Sequence, residues 1–321
     1  MNAAASVSRR AHASLLAAGL LLVSVGQATS QQTATETRDP RQDQDSGFAT
    51  RYKAWTGEAK WGSPLVDHLP LVKGIPTPRD IIGYDVGAPK KLTYYADMLR
   101  FYRALARATP RVRVEVIGKS DEGRDLVVVW VSSAKNMAKL PQNRANLAKL
   151  ADPRGQSAEQ IRQLIATTKP NYHLMGGLHS GETGPSEMLM ELVYRMATET
   201  SPLITQIRNN VYVSITPAAD ADGRDRNVDW FYHGLDPVAP VVVASSDSVA
   251  PPSGRGEQVP GAGPGQGGRG EAAGIGGLPY WGKYVYHDNN RDINLSLMQM
   301  RGIADWYFTA HPPIMHDLHE A

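Results

Sequence analysis

Between Leu92 and Ile215 the apolar residues fall into blocks, and their spacing changes from block to block. From Thr93 to Ala108, Tyr95, Met98, Leu99, Tyr102, Leu105 and Ala106 recur at helical intervals, which predicts an amphipathic helix that Pro110 ends. Arg111 to Ile117 alternates instead, with Val112, Val114 and Val116 on one face, the period of a strand. Gly118 to Gly123 reads as a turn. Leu126 to Val131 is apolar at every position, which predicts an interior strand. Ser157-Ala158-Glu159-Gln160 has the form of a capping box opening a further helix. A short apolar run, Tyr172 to Met175, enters Gly176-Gly177. Met188, Leu189, Leu192, Val193 and Met196 then mark a helix with Pro185 in its first turn. Val211 to Ile215 reads as another strand, and Pro312 to Leu318 as one more buried strand. Helices alternating with apolar strands predict an α/β sandwich.

Three stretches lack this patterning. Residues 1–30 read as a signal peptide: Arg9 and Arg10 precede an apolar core from Leu15 to Val25, and Ala28-Thr29-Ser30 supplies small residues for cleavage. That core is too short to span a bilayer, so no stable membrane anchor is expected after cleavage, and a bacterial-type secreted or periplasmic location is expected. Residues 31–90 form an N-terminal arm. Its start, to about residue 50, is polar and aperiodic and reads as a disordered leader. The remainder, with Trp55, Trp61 and several prolines, reads as an extended arm that packs on a surface the sequence does not identify. Within the domain at 91–321, residues 239–278 break the pattern. Eleven of the 25 residues from Ser253 to Gly277 are glycine, too many to build a core, so a flexible Gly/Pro-rich surface insertion is expected.

Composition narrows the chemistry. The 321 residues, 41% hydrophobic, suffice for one sizeable core. A net charge of +2 with no basic block and interleaved aromatics argues against nucleic acid as a partner. There is no cysteine, which removes a Cys nucleophile, a thiolate metal site and a lipid on an N-terminal Cys together. Any transition metal must be held by His and carboxylates.

Such groups stand together in Gly176-Gly177-Leu178-His179-Ser180-Gly181-Glu182-Thr183-Gly184, between a predicted strand and a predicted helix. With a tight backbone turn, His179 and Glu182 can face one ion, and imidazole with carboxylate suits zinc. A Glu at a helix start also complements the helix dipole without any metal. In His316-Asp317-Leu318-His319-Glu320, alternation along a strand puts Asp317 and His319 on one face and His316 on the other. His319, at the strand end, is the better third ligand, with His316 as the fallback. In Asp288-Asn289-Asn290-Arg291-Asp292, Arg291 could clamp a carboxylate with Asn290 adding a hydrogen bond; an ordinary turn with an exposed Arg is the competing reading.

Taken in order, these segments resemble the zinc metallocarboxypeptidase family, the carboxypeptidase A-like peptidases. The family pattern of His-x-x-Glu, an Asn-Pro-Asp-Gly-like segment, Asp-x-Asn-Arg-Asn and a third His is matched by His179-Ser180-Gly181-Glu182, Ala219-Asp220-Ala221-Asp222-Gly223, Asp288-Asn289-Asn290-Arg291-Asp292 and Asp317-Leu318-His319. Ile117 to Arg124 also resembles the family's start. Departures are the alanines where Asn-Pro is usual, and Asp292 in place of Asn. The resemblance spans Lys91 to the end. It implies a carboxypeptidase-like (phosphorylase/hydrolase-like) three-layer sandwich with a mixed central sheet, incomplete at its C-terminus because the general-base Glu is expected after Ala321. It implies Zn2+ held by His179, Glu182 and His319. It further implies a peptide substrate whose free C-terminal carboxylate is held by Asn290 and Arg291, and removal of C-terminal residues. The family also uses an arginine to polarise the carbonyl; Arg224 and Arg226 lie near, but neither aligns with it, so the resemblance assigns that role to neither. Other readings are a same-fold amidase acting on peptidoglycan peptides or N-acyl amino acids, and a non-catalytic zinc-binding module.

Overall fold

A computed structural model describes residues 38–235 and 287–320. The expected signal peptide and the Gly-rich insertion lie outside the described residues. Ten helices are described: α1 (Ser46–Trp55), α2 (Pro78–Ile82), α3 (Tyr95–Ala108), α4 (Ala134–Met137), α5 (Leu140–Ala151), α6 (Ala158–Thr167), α7 (Thr183–Thr198), α8 (Pro202–Asn210), α9 (Ala221–Leu235) and α10 (Met298–Ala310). The strands are β1 (Val112–Lys119), β2 (Asp125–Val131), β3 (Asn171–Met175), β4 (Tyr212–Thr216) and β5 (Ile314–Asp317).

They form one mixed sheet in the order β1-β2-β4-β3-β5. The β1-β2 and β2-β4 pairs are antiparallel, and β3 runs parallel to both β4 and β5. Val127, Val129 and Val131 of β2 pack with α3 and α7 on one face. Val128 and Trp130 pack with Leu140 of α5 and Trp306 of α10 on the other. This is the expected α/β three-layer sandwich, and the all-apolar β2 lies in its interior because both of its faces meet helices. The capping box at Ser157 is present, with its hydroxyl on Gln160 N and the Gln160 side chain on Ser157 N.

Some expectations change. The β1 register shifts between Val116 and Gly118, so Ile117 turns into the core and Val116 is left 52% exposed. The bulge breaks the alternation that put Val116 inside. Strand β5, expected to be buried, is an exposed edge among the described strands, since it pairs only with β3. The arm is less extended than expected. Asp45 caps α1 by accepting from Phe48 N, and Phe48 is buried. The arm is buckled to α7, where the Arg195 guanidinium donates to the carbonyls of Val66 and His68 and the Tyr194 hydroxyl to that of Pro70.

Candidate metal centre

Strands β3 and β5 are parallel neighbours, so their carboxyl ends reach the same edge of the sheet, where open α/β sheets place ligands. Beyond β3 the backbone turns sharply at Gly176-Gly177. Gly176 N donates to Thr216 O, while Ala219 N and Asp220 N donate to the carbonyls of Gly176 and Gly177. Gly177 has φ +62°, and a Cβ there would lie 2.7 Å from Ser186 Oγ. A Cβ on Gly176 would meet Leu189 Cδ1 at 2.8 Å. Only glycine allows this turn to sit so close to α7. The turn closes with Glu182 N donating to His179 O, and Glu182 stands at the N-cap position of α7 with its side chain making no capping hydrogen bond.

His179, Glu182 and His319 come together, with one ligand atom from each lying within 4.8 Å of the others. His179 Nδ1 is 2.9 Å from Glu182 Oε1, and His319 Nδ1 is 2.8 Å from Glu182 Oε2. Each ring turns its other nitrogen to a second carboxylate: His179 Nε2 is 3.3 Å from Asp288 Oδ1, and His319 Nε2 is 2.7 Å from Asp317 Oδ2. A neutral imidazole has one N–H and one lone pair. If Asp288 and Asp317 accept the Nε2 protons, both Nδ1 lone pairs face the Glu182 carboxylate, and a shared cation satisfies all three. Two imidazole nitrogens and one carboxylate, each ring backed by an acceptor, fit zinc.

The electrostatics reflect the same convergence of carboxylates and imidazoles. Burial alone raises the Glu182 carboxyl, but His179 and His319 bring it below the ordinary carboxylate value. Burial alone lowers the His319 imidazole, but Asp317 and Glu182 reverse this and raise it. His316, the fallback ligand, lies instead against Tyr172, 3.0 Å from its hydroxyl, as strand alternation required.

Asn290 and Arg291 sit on the next turn, both exposed, and their described hydrogen bonds stay within that turn. The residues of this segment that reach the His179 turn are Asp288 and Asn289, the latter buried and donating to Leu178 O. Sequence reasoning gave neither a role; the available signal was the need of a ligating histidine for an acceptor behind it. Asp292 has a structural task. Burial alone raises its carboxyl, but hydrogen bonds from Ser296, Leu297 and His287 hold it down at about 2. Arg224 is buried, paired with Glu187 and donating to the carbonyls of Thr93 and Thr183. Arg226 is paired with Glu122 on the surface.

No curated protein matches the chain by sequence. Among solved structures, carboxypeptidase A from Helicoverpa armigera is similar at 15% identity, over 76% of this chain and 52% of that one, with a TM-score of 0.39. Bovine thrombin-activatable fibrinolysis inhibitor, in complex with tick carboxypeptidase inhibitor, is similar at 13% identity, over 72% and 62%, with a TM-score of 0.36. A metallo-carboxypeptidase from Burkholderia cenocepacia is similar at 16% identity, over 42% and 29%, with a TM-score of 0.30. The chain thus spans less than two thirds of each, and likeness at these TM-scores carries no weight by itself. The zinc carboxypeptidase family model, Peptidase M14, matches residues 98–231. That stretch runs from α3 to α9, contains His179 and Glu182 and ends before His319; over it the chain is similar to the zinc carboxypeptidase family.

Proposed function

We propose that the protein is a zinc-dependent metallocarboxypeptidase that hydrolyses the amide preceding a residue with a free C-terminal carboxylate. The observation that carries this reading is the convergence of His179 Nδ1 and His319 Nδ1 on the two oxygens of Glu182, with a carboxylate behind each ring. His179, Glu182 and His319 would hold the ion. Bound there, zinc supplies a Lewis acid that lowers the pKa of water and polarises a carbonyl. Asp317 and Asp288, 2.7 Å and 3.3 Å from the Nε2 atoms of His319 and His179, would take the Nε2 protons and so fix the tautomers that present Nδ1 as a ligand atom. The exposed Arg291 offers a planar fork of donors to the terminal carboxylate, and Asn290 beside it adds an amide donor.

Zinc stoichiometry in wild type and His179→Ala tests the centre, with one ion per chain expected in the first and none in the second. Stoichiometric zinc in the variant would remove His179 from the ligand set. Peptides offered as free acids and as C-terminal amides test the clamp. Arg291→Ala is expected to raise KM for the acids alone, and an equal loss on the amides would end that assignment. Export belongs with this reading: the purified protein is expected to begin near Gln31, and an N-terminus at Met1 would count against it.

A further inference from the structure

A cavity of about 810 Å³ opens beside the Glu182 turn, within the size range of small-molecule sites. Gly181, Thr183 and Gly184, which flank Glu182 in the chain, contribute to it. Its apolar walls come from Tyr52 and Trp55 of α1, Met188 and Leu192 of α7, and Trp230 and Phe231 of α9. None of the described residues 287–320 lines it, so it meets the candidate centre from a side that excludes the Asn290-Arg291 turn. One wall comes from the arm, which lies outside the family-matched stretch.

The exposure of these walls is selective. Met188 is 47% exposed while Leu189 beside it is fully buried, and Trp230 is 44% exposed. The carboxylates in the lining are already used. Glu187 accepts from Arg224 and from Thr93 N, and Glu191 accepts from Arg195 Nε at 2.8 Å. A peptide laid in the cavity would set its amide groups against apolar walls with these acceptors spent, which is costly. An alkyl chain brings no such groups. Lys90 and Lys91, both exposed in the lining, favour an anionic amphiphile.

We infer that this cavity takes the acyl group of the substrate, a medium- or long-chain alkyl acyl group joined through the scissile amide to an amino acid with a free carboxylate. The inference rests on the proposed reading of the site, because a carboxylate held at Arg291 and an amide at Glu182 leave the acyl group on the Gly181–Gly184 side. Hydrolysis breaks the amide C–N bond. The water oxygen joins the acyl carbon and a proton goes to the amine, so the products are a fatty carboxylate and an amino acid.

The test is calorimetric titration of the full chain with N-acetylglycine, N-octanoylglycine and N-acetyl-Leu-Leu-Gly. Each methylene moved from water into an apolar site gains roughly fourfold at most. The Kd for N-octanoylglycine is therefore expected to be at least about tenfold below that for N-acetylglycine. Met188→Glu and Trp230→Glu, both at exposed helix positions, are expected to keep the wild-type circular dichroism and cut that gain to under about threefold. Equal binding of the two acyl-glycines by wild type, or an undiminished gain in both variants, would overturn the inference. Tighter binding of the peptide than of N-octanoylglycine would overturn the alkyl occupant. Zinc content of the same samples reports on the catalytic reading separately. Zinc without the chain-length gain sinks the acyl site alone, whereas the gain without zinc sinks the peptidase reading alone.

Discussion

The two halves of the candidate centre are held by different forces. His179 stands on a turn gripped by β3, β4 and α7, with three backbone hydrogen bonds and two glycines packed against helix side chains. Its side chain is 11% exposed. His319 follows an edge strand whose Ile314 and Met315 are exposed, and its own side chain is 35% exposed. Past the β5 ladder, Leu318 N donates to Met175 O, Glu320 accepts from Gly184 N and Asp317 steadies the ring. Core packing therefore builds the first half in advance. The second half depends on polar contacts, and an ion shared by both would tie the edge strand to the core.

The sharpest way to break this contrast is to remove the metal. Amides of β5 and of Leu318 are expected to exchange at least about 100-fold faster after chelation. Those in the buried stretch of α7 around Leu189 and Val193 should change by less than about threefold. Equal loosening of both regions would show that the His179 turn is not built in advance.

Carboxylate replacement sharpens the same contrast at a smaller scale. Acceptors behind ligating histidines are typically worth about 10–100-fold in metal affinity. Asp317→Ala is expected near the upper end, because little else orients His319. Asp288→Ala is expected near about tenfold, because packing already holds His179. Zinc competition against a chromophoric chelator measures both, and the reverse ranking would refute the asymmetry.

That asymmetry also explains what the sequence could reveal. The His179 half was legible because its causes are local. A strand, two glycines, a His-x-x-Glu pair and a helix start follow one another within residues 172–196. The all-apolar Leu126 to Val131 and the capping box at Ser157 were legible for the same reason. His319 could be picked over His316 by strand alternation, but the exposure of β5 depends on which strands lie beside it, and residues 312–318 do not encode that. Asp288 became meaningful only once the fold set it against His179, 109 positions earlier in the chain. Helix α1 was missed because its apolar face is weak, and its one clear local signal is Asp45 at the cap. Met188 fitted the helical spacing, yet it faces the cavity and not the core.

The glycines give a third and smaller comparison. Gly177→Ala forces a side chain into the left-handed region and against Ser186 Oγ, so a loss of about 2 kcal/mol is expected by denaturant unfolding. Gly181→Ala, where the nearest atom to an added Cβ is 3.9 Å away, is expected to stay within about 0.5 kcal/mol of wild type. A loss at Gly181 as large as that at Gly177 would mean that the whole turn, and not its first two residues, is sterically fixed.

The pH dependence of stability tests how deeply the His179 half is buried. Asp220 lies beneath the turn, and burial pushes its carboxyl up to about 7, only partly offset by its hydrogen bond from Gly223 N and by Ser180. In the unfolded chain the same group titrates near 4. Between these values the folded state holds the extra proton, so stability is greatest below about pH 4, falls as pH rises toward about 7, and changes no further above it. The slope from this one group is at most about 1.4 kcal/mol per pH unit. Asp220→Asn keeps the shape and removes the titration, so its stability relative to wild type should climb from pH 5 to pH 8. A difference that stays flat across that window would mean that Asp220 is already ionised at pH 5. The foot of the turn would then be solvated or charge-compensated, and the His179 half would lose part of its claim to be the core-built side of the site.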